Sequence, residues 1–189
     1  MILNLITLST VKTQLGIDST TFDARLTALI PIVSSDVRRI LNNSFDQYCG
    51  ADFDSSSTDI ALDFNSTYDY VSGSPSFDMG QVVYHPNIPQ DTYITAYNPE
   101  TGKYTLSATP TGSGDYIYPS VHIAQWPTIS KMIYYRLTKQ TTDSVEVEKL
   151  KSYSIGPVSK TYADSEISSQ YNYPKTLIDD LGVPFAVVG

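Results

Sequence analysis

The chain has 189 residues, of which 41% are apolar, so it can bury a core and fits one domain or one domain with a sizeable insertion. Only 17% are charged and the net charge is -8, so solubility rests largely on hydroxyl groups and a negative balance, which excludes a disordered charged tail. The single Cys49 excludes an internal disulfide and a cysteine metal cluster, and reads as a bystander thiol.

Met1 to Ile6 lacks a basic flank and polar residues arrive by Thr7, so neither a secretory signal nor a membrane span is expected. Thr7 or Ser9 can cap a short helix through Leu15, with Gly16 supplying the left-handed residue that ends it. Asp18 or Ser19 then starts a longer helix to Asn43. Phe22, Leu26, Leu29, Val33, Val37 and Ile40 recur at helical spacing and predict one buried stripe. Pro31 removes a backbone donor inside it, so a kink near 27–31 or two helices meeting there is expected. Arg25, Arg38 and Arg39 fall mostly off the stripe, toward solvent or a partner.

From residue 44 both period and charge change. Residues 44–125 hold one basic and ten acidic residues, whereas 126–142 hold three basic and none acidic, a shift that marks a module boundary. Asp52–Asp59 reads as a polar loop. Gln81–Tyr84, Thr92–Tyr97 and Lys103–Ser107 read as strands between turn signals at 73–75, 86–89, 98–102 and 110–114, the punctuation of a small antiparallel β domain.

Trp126-Pro127 opens a third helix to Thr142, with Ile129, Met132, Ile133 and Leu137 on its apolar face and Lys131, Arg136 and Lys139 on its free face. Val145–Tyr162 reads as extended structure broken at Gly156-Pro157. Pro174–Leu181 reads as a last short helix ended by Gly182, and the apolar tail 183–189 should dock on something. The expected fold class is therefore α+β: a small bundle of three to four helices interrupted by an antiparallel β domain, with an extended C-terminal segment. Residues 1–43 and 126–189 form the helical part and 44–125 the acidic β module.

Chemistry is sparse. His85 looks like a turn residue and His122 like a strand residue, and no nucleophile, base and orienting group can be assembled, so an enzyme is not expected. Gly112-Ser-Gly-Asp115 lacks the context of a dinucleotide or phosphate loop and reads as a hairpin turn. Asp52, Asp54, Ser56, Thr58 and Asp63 occupy positions 1, 3, 5, 7 and 12 of a calcium-type loop. Ser57 stands where that loop wants glycine and Asp63 where it wants glutamate, so the competing reading is a solvated acidic loop. No cofactor is expected. Tyr68, Tyr70, Tyr93, Tyr97, Tyr116 and Tyr118 could stack on sugar rings, although the strand propensity of tyrosine accounts for their abundance.

Leu5–Asp18 followed by the helix Ser19–Asn43, the helix Trp126–Thr142, the segment Tyr153–Tyr162 and the helix Pro174–Leu181 come in an order that resembles the head-tail connector (adaptor, head-completion) proteins of tailed bacteriophages. Residues 71–83, 87–89 and 93–107 are similar to β modules of phage structural and tail proteins. The resemblance implies a non-enzymatic virion protein at the neck, assembled in the host cytoplasm. It implies a ring of about twelve copies below the portal protein, extending the channel for double-stranded DNA without sequence-specific binding and docking a stopper, neck or tail protein. Capsid or fibre would meet the β module; no membrane is involved. Arg25, Arg38, Arg39, Lys131, Arg136, Lys139, Ile155, Gly156, Pro157, Val158, Tyr162 and Phe185 are the candidate interface residues. The alternative is a decoration or fibre-associated module whose tyrosines hold glycan.

Overall fold

Thr7 has extended backbone and its hydroxyl accepts from the Thr10 N–H at 3.2 Å, so helix α1 (Leu8–Leu15) begins on a satisfied cap. Gly16, at φ 65°, ends it, and the Ile17 N–H returns to the Lys12 carbonyl at 2.9 Å. The computed structural model describes residues 4–63, 77–142 and 171–182, and of 140–142 the backbone alone. Val145–Tyr162, the turn signal at 73–75 and the tail 183–189 lie outside the described residues.

Helix α2 spans Asp23–Leu41 and so starts later than the Asp18 or Ser19 expected. The Ser19 hydroxyl accepts from the Thr21 N–H and the Asp23 N–H bonds the Thr20 carbonyl, a local turn that satisfies these groups outside a helix. Asp23 suits the positive helix N-terminus and pairs with Lys12 of α1 at 2.8 Å. Pro31 does not divide α2 into two helices. Thr27, whose carbonyl loses its helical partner to Pro31, is exposed, so water can serve it.

From Leu26 to Ile40 the stripe is buried as its spacing predicts, and Ile30, Ser34, Asp36 and Leu41 widen it, whereas Phe22 is half-buried and precedes the helix. The Ser34 hydroxyl accepts from the buried Leu5 N–H at 3.1 Å and so ties the segment before α1 onto α2. Helix α3 (Trp126–Thr142) packs against α1 and α2 and touches α4 (Lys175–Asp179). Ile129, Met132, Ile133 and Leu137 are all buried there. Pro174 precedes α4, Gly182 follows it at φ 98°, and Leu177 and Leu181 are buried.

By its packing the chain divides into two units, residues Met1–Asn43 with Gln125–Gly189, and Ser44–Ala124. Among the described residues the second unit is a six-stranded antiparallel sheet: β1 (Cys49–Phe53), β2 (Asp59–Asp63), β3 (Gln81–Tyr84), β4 (Ile94–Asn98), β5 (Lys103–Leu106) and β6 (Gly114–His122). The strand order is β3-β6-β1-β2-β5-β4. The two edge strands also meet: Val82 bridges Tyr93, the Val83 N–H reaches the Thr92 carbonyl at 2.9 Å and the Gly80 N–H reaches the Ile94 carbonyl at 2.7 Å. The sheet therefore closes on itself as a small barrel. With the helical unit this makes the fold α+β.

The barrel interior holds Cys49, Ala51, Phe53, Ile60, Val83, Ile94, Leu106 and Ile117, with Phe77 and Ile88 packed alongside. Burial alternates along β1, where Cys49, Ala51 and Phe53 point inward and Gly50 and Asp52 outward. Two expected loops are corrected. Asp52, Phe53 and Asp59 belong to strands, and only 54–58 turn between β1 and β2. Gly112–Asp115 is no hairpin turn, because β6 begins at Gly114 and pairs with β1 and β3, never with β5. No helix among the described residues is long and apolar enough to cross a membrane.

Candidate functional site

Among the described residues of the helical unit a polar centre is built from α2, α3 and the segment before α4. The buried Asp36 carboxylate accepts from the Tyr173 hydroxyl at 2.7 Å and from Arg136 Nη2 at 2.6 Å through the same oxygen, and from Arg39 Nη2 at 3.1 Å through the other. Arg136 Nε also donates to the Tyr173 oxygen at 2.8 Å, and its guanidinium lies 5.0 Å from that ring's centre. Burial pulls the Arg136 guanidinium down, but its bonds to Tyr173 and the charge of Asp36 outweigh that and raise it. Burial also pushes the Tyr173 hydroxyl far above its ordinary value, so it stays a donor. The three groups close on one another. Their chemistry is that of a strut, with bonds directed inward.

This corrects one expectation: Arg136 is not on a free face of α3, since it is half-buried in the strut. Asp36 was invisible to pattern reading, because its place beside the apolar stripe looks like solvent side. The signal that could have found it is a carboxylate one step from Val37, in a segment whose only other nearby charges are arginines.

The remaining helical candidates spread over the surface. Arg25 is exposed near the start of α2, and Arg39 lies 5.3 Å from the centre of the Tyr171 ring. Burial lowers the Arg38 guanidinium. Lys131 is part-exposed, and Lys139 sits 5.3 Å from the Tyr135 ring centre. Between Arg25 and Arg39 the exposed side of α2 is Thr27, Ala28, Ile32 and Ser35, small or apolar, with Ile32 44% exposed. Ile155, Gly156, Pro157, Val158, Tyr162 and Phe185 lie outside the described residues.

The calcium-type oxygens are not gathered at one point. Asp54 Oδ1 accepts from the Ser56 N–H at 2.7 Å and the Ser56 hydroxyl at 2.5 Å, which lowers its pKa and closes a local turn. Asp52 sits in β1 opposite Ala61, while Asp63 sits in β2 opposite Gly50, away from the turn. A twelve-residue loop folded as a hairpin puts its first and last ligands on strands. Among the described residues no three His, Cys, Asp or Glu side chains converge as a metal site.

The histidines serve the barrel. His85 is buried, its Nδ1 accepts from the Asn87 N–H at 3.0 Å, and its ring packs edge-on against Phe53 and Tyr116. Burial lowers its pKa, with Asp115 opposing. His122 Nδ1 accepts from the Ala124 N–H, which leaves Nε2–H to donate to the Met79 carbonyl at 2.8 Å. Its ring lies over Gly80, at φ 97°, where any side chain would meet it.

Cys49 is buried, and burial together with the Asp63 charge pushes its thiol up to about 11 from 9.0. A raised acid keeps its proton in the folded state. The matching stability is full below pH 9.0 and is lost as pH rises toward about 11. Thiolate absorbance should therefore titrate near 11 in the folded chain and near 9.0 in denaturant; equal midpoints would overturn this.

The tyrosines gather on the barrel exterior. Tyr84 pairs with Tyr118 across β3 and β6, and Tyr116 pairs with Gly50 across β6 and β1. Tyr48 packs edge-on against Tyr116 at 5.7 Å and Tyr118 at 5.8 Å. Tyr97 lies apart, 4.7 Å from Tyr104. Tyr68 and Tyr70 lie outside the described residues.

The family model for phage gp6-like head-tail connector protein matches residues 5–84, which bears out the resemblance of Leu5–Asn43 to connectors. The match covers α1 and α2, crosses into the barrel and ends at the last residue of β3. No curated protein and no solved structure matches the chain.

Proposed function

We propose, taking the connector-family match as premise, that this chain is a structural, non-enzymatic protein of a tailed-phage virion, placed at the head-tail junction. The single observation that carries the reading is the match over residues 5–84. In the finer form of the proposal, about twelve copies form a closed ring on the portal protein, continue its DNA channel and present a surface to a stopper or tail component. The ring forms in the host cytoplasm during assembly.

Two features of the molecule support that form. The exposed side of α2 between Arg25 and Arg39 carries small or apolar side chains around Ile32, which suits close helix packing between copies. Residues 44–125 hold ten acidic residues against one basic, so phosphate backbone is repelled there, which suits a unit placed away from the passing DNA. In this arrangement the helical unit, split by the barrel in the sequence, builds the ring and the barrel projects outward. The glycan-holding alternative is less favoured, because the clustered rings meet edge to face at 65° and 81° and so form no flat platform for a pyranose.

Light scattering of the chain mixed with portal rings is expected to show a species heavier than the portal alone. Ala28→Arg should keep native Trp126 fluorescence yet abolish that species. A chain that stays free beside the portal, or a neck reconstruction with the barrel lining the channel, would sink this arrangement.

A further inference from the structure

We infer that the outer barrel face formed by Tyr48, Tyr84, Tyr116, Tyr118, Asp52 and Asp63 is a docking surface for an arginine-bearing segment of a partner protein. The face is set by register. Gly50 of β1 pairs with Tyr116 on one side and with Asp63 on the other, so ring and carboxylate stand on the same face two strands apart, about 10 Å. Asp52 lies two residues along β1 on that same outward side, and both carboxylates are exposed. Gly50 contributes no side chain, so nothing from β1 rises between the ring and the Asp63 carboxylate.

The occupant follows from charge and shape together. Half-buried tyrosine rings already held by one another cost little further ordering on binding. Their faces attract a guanidinium, and the neighbouring carboxylates take its paired N–H groups, a combination that arginine meets better than lysine. In a polyproline II segment, side chains three residues apart share a face and are separated by about 9 Å, so two arginines at that spacing reach the ring cluster and Asp63 together. A surface in a unit with ten acidic and one basic residue disfavours nucleic acid. The inference stands on the barrel alone and does not depend on the connector reading.

The test uses the full chain and a nona-arginine peptide at low salt, with amide shifts to locate binding and calorimetry to measure it. Shifts should concentrate on Gly50, Asp52, Asp63, Tyr116 and Tyr118. Asp52→Asn with Asp63→Asn should weaken binding about tenfold, whereas Asp78→Asn with Glu100→Gln, which removes the same charge elsewhere, should weaken it less than about twofold. Equal weakening by the two pairs, or shifts scattered over the whole barrel, would reduce the effect to bulk charge and overturn the inference. Binding of a neutral oligosaccharide on the same amides, with none by the peptide, would overturn it in favour of glycan.

Discussion

Asp36→Ala is expected to destabilise the helical unit by about 3 kcal/mol, followed through Trp126 emission during urea unfolding. Removing one partner from a buried ion pair costs about 3–5 kcal/mol, and two opposing details set this case at the lower end. Arg136 and Arg39 keep 30% and 60% of their side-chain surface exposed and can turn to water. Tyr173 is fully buried, so its hydroxyl is stranded when the carboxylate goes, a loss of about 1–3 kcal/mol by itself. Trp126 is the only tryptophan and opens α3, so it reports on the unit that contains the strut. Combining Asp36→Ala with Arg136→Met should cost less than the two single changes added together, because the second change removes a charge that has lost its partner. Additive losses, or an unchanged urea midpoint for Asp36→Ala, would show that the strut carries little.

Gly114→Ala should cost the barrel about 2–3 kcal/mol, for a reason of space and not of backbone angle. A Cβ at Gly114 would run into the end of the Phe53 ring and come within 2.9 Å of His85 Cε1. Phe53 is buried in the barrel interior and its ring already lies 5.1 Å from that of His85, so it has no open side to move into. The readout is Cys49 labelling by a thiol reagent: the thiol is interior, so labelling follows barrel opening and should speed up in the variant. Gly114→Ala with Phe53→Leu should regain most of the loss by making room. If Gly114→Ala labels no faster than the parent chain, β6 can shift outward and the interior is less tightly filled than the contacts imply.

The helical part was legible because its signals are local. Thr7, Gly16, the stripe Leu26 to Ile40 and Trp126-Pro127 each specify structure within a few residues, and α1 and α3 lie where those residues put them. The start of α2 was misread because Ser19 caps a turn as readily as a helix. Half of the barrel was not legible. Cys49-Gly-Ala-Asp-Phe53 has poor strand formers and becomes β1 because β2 and β6 pair with it on both sides. Pro119 would argue against a strand through β6, and the structure accommodates it where the β3–β6 register shifts between Gln81 and Val83. The polar centre was half seen: Arg136 was noticed for its charge and assigned to solvent, while its partners stand 100 positions back at Asp36 and 37 positions on at Tyr173. Nothing within one helix announces a bond of that span.

The pairing of Cys49 with Ile117 bears on the order in which the chain folds. Helices α2 and α3 must meet across Ser44–Ala124, a long loop to close. Once Cys49 is paired with Ile117, the path from α2 to α3 shortens from residues 42–125 to 42–49 and 117–125, about 17 residues, and the closure cost falls by about 1.4 kcal/mol. The barrel is thus a clasp that halts an unfinished bundle until its own strands have paired. During synthesis α1 and α2 emerge first and wait with their apolar stripe uncovered. Refolding kinetics should show barrel signals leading Trp126.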